Sequence, residues 1–245
     1  MTQHMIAQYD ELWPDHPFVF RIPFQTLAGV NSEREEYIET PPDIPGTVLQ
    51  LIADLDDDEW VYWCADDKYP IALRTKKISN LFQNVRDQAD IAGLLCCRCR
   101  ITLDQPEVSL VAASRRVTPE GNILLERRMW YQIWIHQFLR VKVLRYFFTH
   151  MRKDISNAKV MDELKNEIPK PDELRLFVTE ENHAVFGEST QRGLITESCY
   201  RSIKAAGLTL PEWFQKSNGS YVTMGELPDG RSRTRSKLAK VLSRK

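Results

Sequence analysis

VSLVAASRRVTPEGNILLERRMWYQIWIHQFLRVKVLRYFFTHMR, residues Val108 to Arg152, changes part-way from a strand pattern to a helix pattern. Val108 to Val117 and Ile123 to Trp130 are rich in β-formers and flank the turn Thr118-Pro119-Glu120-Gly121-Asn122, which predicts a hairpin. From Tyr131 to about Arg152 the pattern changes. Ile135, Phe138, Leu139, Val143, Tyr146 and Phe147 recur at three-and-four spacing, which predicts a helix with Arg140, Arg145 and Arg152 elsewhere on its surface. A hairpin followed by a helix makes the chain α+β: antiparallel sheets with hairpins plus a basic helical insertion.

Working outward, Phe18 to Leu27 reads as a first strand, and Pro23 inside it points to an edge or a bulge. Asn31 to Pro45 is polar and reads as a surface loop. Thr47 to Ala53 and Trp60 to Cys64 read as strands around the acidic turn Asp54 to Glu59, and Ser79 to Ala92 as a helix. Leu94 to Leu103 reads as a strand, Ser156 to Glu167 as a helix, and Leu174 to Thr179 with Ala184 to Gly187 as a second hairpin. Thr196 to Ala206 reads as a helix closed by Gly207, with Pro211 opening another over Leu210 to Lys216. The organisation this gives is a mainly β part over 1–130, a helical segment over 131–170 and a small α/β part over 171–245.

The chain has 245 residues, 42% hydrophobic and 27% charged, which is enough apolar material for a packed core and excludes a disordered class. Its most apolar stretch, Trp130 to Phe148, is broken by His136, Arg140, Lys142 and Arg145, so no membrane span is expected. The first residues lack the order of a secretory signal. The five cysteines do not pair into a framework, so a reducing, cytoplasmic setting is expected.

Charge is distributed unevenly. Glu33 to Asp67 carries twelve acids against Arg34 alone, and Arg115 to Lys153 carries nine basic residues against Glu120 and Glu126. The last residues hold Arg231, Arg233, Arg235, Lys237, Lys240, Arg244 and Lys245 and no acid. Guanidinium groups fork onto phosphate oxygens, and the hydroxyls of Ser232, Thr234 and Ser236 add donors. The segment therefore reads as a nucleic-acid contact, against the alternative of a solvated tail. Arg115, Arg116, Arg127, Arg128, Arg140 and Arg145, interleaved with Trp130, Tyr131 and Trp134, extend the same expectation to the centre of the chain, where aromatics could stack on bases or pack in a core.

Other motifs point elsewhere or fail. Asp54, Asp56 and Asp58 open like a calcium loop, but Glu59 and Ala65 stand where glycine and glutamate belong; a magnesium site on two of them is the alternative. Cys96 and Cys99 have knuckle spacing without a second pair, and read better as buried thiols than as a zinc site. The expectation is no metal and no cofactor. Residues 196–216 could form a DNA-reading helix-turn-helix.

Taken together, the strand FVFRIPFQTL, the hairpins, the basic aromatic insertion and the arginine-rich end resemble divergent Cas6-type CRISPR RNA-processing proteins of type IV-like systems. The resemblance implies ferredoxin-like or RRM-like folds that bind a repeat hairpin within a ribonucleoprotein of antiviral defence. It also implies metal-independent endonuclease chemistry, in which a 2′-hydroxyl attacks the adjacent phosphate and basic groups offset the developing charge. The residues that would match this catalytic role are Arg21 in the first strand, Arg34 in the loop after it, and the C-terminal arginines. The glycine-rich loop frequent in such proteins is echoed here only by Gly219, Gly225 and Gly230. RNA is the favoured partner; the alternatives are a non-enzymatic adaptor of a larger complex and a DNA-binding regulator.

Overall fold

The computed structural model describes residues 2–27, 29–65, 68–97, 111–154, 158–188, 190–191 and 194–209. The chain is α+β. Helix α1 (Thr2–Leu12) comes first, with Met5, Ile6 and Tyr9 buried on one face. Strands β1 (Phe20–Phe24) and β2 (Glu35–Glu39) pair in parallel, so the polar loop expected over 31–45 contains a strand. Its acids hid it: β2 forms half of a two-stranded ribbon and needs no apolar alternation. Pro23 sits exposed in β1, where its missing N–H leaves no interior ladder broken.

Helix α2 (Ile44–Leu51) replaces the strand expected over Thr47 to Ala53. Asp43 accepts a hydrogen bond from the Gly46 N–H at 2.7 Å and Pro45 occupies the first turn, and this start signal outweighs the β-branched Thr47 and Val48. The acidic turn then leads into β3 (Trp60–Trp63), β4 (Lys68–Leu73) and α3 (Thr75–Val85), which buries Ile78, Leu81 and Val85. Next come β5 (Gly93–Leu95) and the hairpin β6 (Val111–Val117) with β7 (Ile123–Arg127), closed by the expected turn.

The helix expected over Tyr131 to Arg152 is correct only in its second half. Residues 131–136 turn, Gln137–Arg140 form strand β8, and helix α4 runs over Val141–His150. β8 lies between β3 and β5 and is buried along its whole length. Its four residues, Gln137-Phe138-Leu139-Arg140, show no alternation of their own, and Phe138 and Leu139 fall in step with the apolar spacing of the helix that follows. Helix α5 (Ala158–Leu164) ends in a 3-10 turn at Lys165–Glu167.

Strands β9 (Leu176–Thr179) and β10 (Ala184–Glu188) are not a hairpin: β9 joins β5 and β7, while β10 pairs with β4. The short β11 (Thr190–Gln191) and β12 (Leu194–Ile195) precede helix α6 (Glu197–Ala206). The Thr196 hydroxyl caps α6 by accepting from the Cys199 N–H at 3.2 Å, and Gly207 closes it at φ 76°.

The main sheet runs β3-β8-β5-β9-β7-β6, antiparallel except for the β5–β9 pair, so it is mixed. It draws strands from all three stretches separated at 130 and 170. One apolar cluster joins α3 to Leu94, Phe138 and Phe177; another joins α2 and α4 to Leu139 and Leu176. A third joins α1, β1, β4 and α6 through Tyr9, Phe20, Ile22, Tyr69 and Ile203. Among the described residues no helix is long and apolar enough to cross a membrane.

Candidate nucleic-acid interface

The acidic and basic stretches that sequence separates meet in space. Arg21 forks onto Asp54 at 2.7 and 2.6 Å, reaches Glu36 at 3.2 Å and donates to the Leu51 carbonyl at 2.7 Å. This guanidinium holds the Asp54 carboxyl down at about 2. Arg145 donates to Asp57 at 2.7 Å and to the Leu55 carbonyl at 2.8 Å, and Lys142 donates to Asp58 at 2.7 Å. Arg140 is buried and donates to the carbonyls of Asp58, Arg86 and Ile91 at 2.6, 2.9 and 3.0 Å, with its guanidinium over the Trp60 ring. The acidic turn is thus a clasp that fixes the start of α4 against α2 and β3. Arg21, Arg140 and Arg145 are engaged inside the protein.

Arg127 is enclosed as well. It donates to the Tyr131 carbonyl at 2.8 Å and to Gln137 Oε1 at 2.5 Å, and among the described residues no carboxylate pairs with it and Nε has no acceptor. Burial pushes its pKa down to about 9. Arg116 is paired with Asp90 and donates to Gln88 at 2.8 Å, and both Arg116 and Arg175 lie over the Phe177 ring. Of the central arginines named from sequence, two face solvent. Among the described residues Arg115, on the outermost strand β6, reaches only Glu180 at 3.8 Å, and Arg128 is exposed with no partner. Arg231, Arg233, Arg235 and Lys237 lie outside the described residues, as does the second helix of the 196–216 unit.

The aromatics do not form a stacking platform. Trp130 is fully buried and donates to the Ile168 carbonyl at 2.8 Å, Trp134 packs on Phe147 and Phe148, and Phe138 stacks on Phe82. Helices cover both faces of the sheet, so its rings serve the core.

Arg34 sits in a cluster that the sequence did not disclose. The Phe18 N–H donates to His16 Nδ1 at 3.2 Å, which leaves Nε2–H to donate to Asp10 at 3.0 Å. Arg34 binds the same Asp10 oxygen at 3.0 Å and remains 47% exposed, so it still presents donors to solvent. The signal was available: Met5, Ile6, Tyr9 and Trp13 have the spacing of a buried helix face, and that helix carries Asp10 to His16. Arg21 and Arg34, named together as catalytic candidates, are held by different acids.

Behind α1, Tyr9 donates to His136 Nδ1 at 2.5 Å while His136 Nε2–H donates to the Ala65 carbonyl at 2.7 Å. Tyr62 donates to Tyr9 at 3.3 Å. These rings are packed inside the protein, where the chain of hydrogen bonds ties α1 to the sheet. Cys96 is buried, and burial pushes its thiol up to about 12; Cys99 lies outside the described residues. Among the described residues no three His, Cys, Asp or Glu side chains converge on a point suited to a metal. No protein-family model, curated protein or solved structure matches this chain.

Proposed function

We propose that the protein binds nucleic acid, RNA in preference to DNA, through its C-terminal arginine-rich segment. Arg231, Arg233, Arg235 and Lys237 are the phosphate contacts, and the folded body is their carrier. The observation that carries this reading is where charge is left over. The whole chain has net charge -1 and residues 231–245 contribute +7, so residues 1–230 carry -8. Within the body the basic residues of α4 are engaged by the acidic turn, whereas the terminal segment contains no acid of its own. Phosphate contacts release counterions, so a segment of this composition gains affinity from any polyanion it meets.

Arg115 and Arg128 are the body residues placed to extend the contact. Should the bound RNA also be cut, Arg34 is the better placed of the two catalytic candidates, because the donors of Arg21 already satisfy Asp54, Glu36 and the Leu51 carbonyl. In that case Arg34→Ala would remove cleavage while leaving binding in place.

The test is titration of the purified chain with labelled single-stranded RNA, hairpin RNA and duplex DNA at two salt concentrations, with chelator present and products resolved on a denaturing gel. Salt-sensitive binding, tightest to RNA, is the expected outcome. Absence of binding to all three at low salt would overturn the reading and leave an adaptor whose basic end serves a protein partner.

A further inference from the structure

The ribbon of β1 and β2 differs from the rest of the surface. Four large hydrophobic side chains stand exposed among the described residues, and three of them, Val19, Leu27 and Val30, flank this ribbon. Leu27 and Val30 are 86% and 88% exposed, in the connection that carries β1 back to the start of β2. Two bare aliphatic side chains three positions apart are more than the scatter of single apolar residues that any surface shows.

Acids rim the same place. Residues 31–43 hold Glu33, Glu35, Glu36, Glu39 and Asp43 against Arg34 alone. Arg34 is engaged by Asp10, and Glu36 by Arg21. Glu33 and Glu39 are exposed with no partner among the described residues. In the clasp, by contrast, Asp54, Asp57 and Asp58 each meet a cation. The ribbon therefore offers apolar contact together with uncompensated negative charge. A membrane surface, which favours basic segments, does not suit it.

We infer that the ribbon is the docking site for the chain's own C-terminal segment, Arg231 to Lys245, and that docking competes with nucleic acid for that segment. Three observations bear on this occupant. The segment is basic and also carries Leu238, Val241 and Leu242, so it matches the ribbon in charge and in apolar content. Leu208, next to the last described residue, packs against the apolar cluster that also takes in Phe20, Ile22 and Tyr37 of the ribbon. Residues 210–236 could extend to roughly 90 Å, so reach is not limiting. A tethered segment also binds at high effective concentration, so weak contacts suffice to hold it.

This inference rests on the proposed function for its consequence, and the experiment separates the two. Dilute full-length protein is treated with a carbodiimide, which joins lysine amines to carboxylates in direct contact, and the coupled residues are mapped by mass spectrometry. Lys142–Asp58, at 2.7 Å, is the internal control. Coupling of Lys237, Lys240 or Lys245 to Glu33, Glu35 or Glu39 within one chain is expected, suppressed at about 1 M salt, where the screening length is about 3 Å. Control coupling without tail-to-ribbon coupling would overturn the inference, as would coupling found only between two chains.

The variant Leu27→Ser/Val30→Ser/Glu33→Gln/Glu39→Gln changes exposed positions alone. It should lose the tail crosslinks and bind single-stranded RNA several-fold more tightly. Unchanged crosslinks in this variant would also count against the docking site. If neither form binds RNA, the crosslinks still decide the docking and only the proposed function falls.

Discussion

Two regions of this molecule carry the same kind of sequence signal and resolve it differently. In the clasp, an acidic turn and a basic helix 84 to 88 residues further along the chain neutralise each other at Lys142–Asp58 and Arg145–Asp57, and Arg21 of β1 meets Asp54. On the ribbon, Glu33 and Glu39 meet no cation among the described residues, and the chain's most basic segment lies at its far end. Charge patterning in sequence shows where charge is, while the fold decides whether it remains available to a partner. Arginines that sequence groups together thus divide into those that hold the body and those left to act outside it.

The largest expected effect comes from breaking the clasp at its buried member. Arg140→Ala removes donors from the carbonyls of Asp58, Arg86 and Ile91 and leaves the Ile91 carbonyl without this partner in a buried position. Destabilisation of about 3 kcal/mol or more is expected in urea unfolding, at the upper end for the loss of a buried charged donor. A loss below about 1 kcal/mol would mean that water or a neighbouring donor replaces the guanidinium.

Acid should loosen the body in two stages. Burial lowers His4 to about 4, so its proton binds the unfolded chain more readily, and stability falls as pH drops from about 6.5 towards 4. The Asp54 carboxyl, held at about 2 by Arg21, contributes stability above its ordinary value near 3.8 that is lost as pH falls towards 2. Thermal melts across pH 7 to 2 check both stages. His4→Gln should flatten the first and Asp54→Asn the second; a first stage that survives in His4→Gln would assign it to another group.

The smallest effect is expected at the clasp's exposed rim. Asp57→Asn leaves Arg145 its carbonyl partner, Leu55, and should change stability by under about 1 kcal/mol, decreasing further in high salt. A larger loss in the same melts would show that the exposed pairs contribute to the clasp as Arg140 does.

Much of the fold was legible in the sequence. The 118–122 turn, the strand at Trp60, and helix α6 with its Gly207 cap lie where local chemistry places them. The failures share a cause. Strand pairing is settled by contacts far apart in the chain: β8 has too few residues to show alternation before the helix that follows it, and β9, read correctly as a strand, exchanges its expected neighbour β10 for β5 and β7. Strand β2 fails in the opposite way: in a ribbon of two strands, Glu35, Glu36 and Glu39 give it the polar composition of a loop.

The candidate interface was legible in composition and not in position. Nothing local in Arg-Arg at 115–116 or 127–128 reveals that Arg116 meets Asp90, that Arg127 is enclosed, and that Arg115 and Arg128 face solvent. Those outcomes follow from strand alternation and from where β7 ends against the 131–136 turns. The His16–Asp10–Arg34 cluster needed the fold to bring together a helix, the turn after it and the bend before β2.

The most direct measurement compares two variants for salt-dependent RNA binding: Arg231→Ala/Arg233→Ala/Arg235→Ala, and Lys142→Ala/Arg145→Ala in the clasp. The account predicts that the terminal variant binds at least tenfold more weakly at low salt and loses about 2 units of slope in log affinity against log salt, with an unchanged melting temperature. The clasp variant should melt earlier yet bind RNA as the parent does. Equal weakening by both variants, or undiminished binding by the terminal one, would contradict the claim that the arginine-rich C-terminal segment makes the contact.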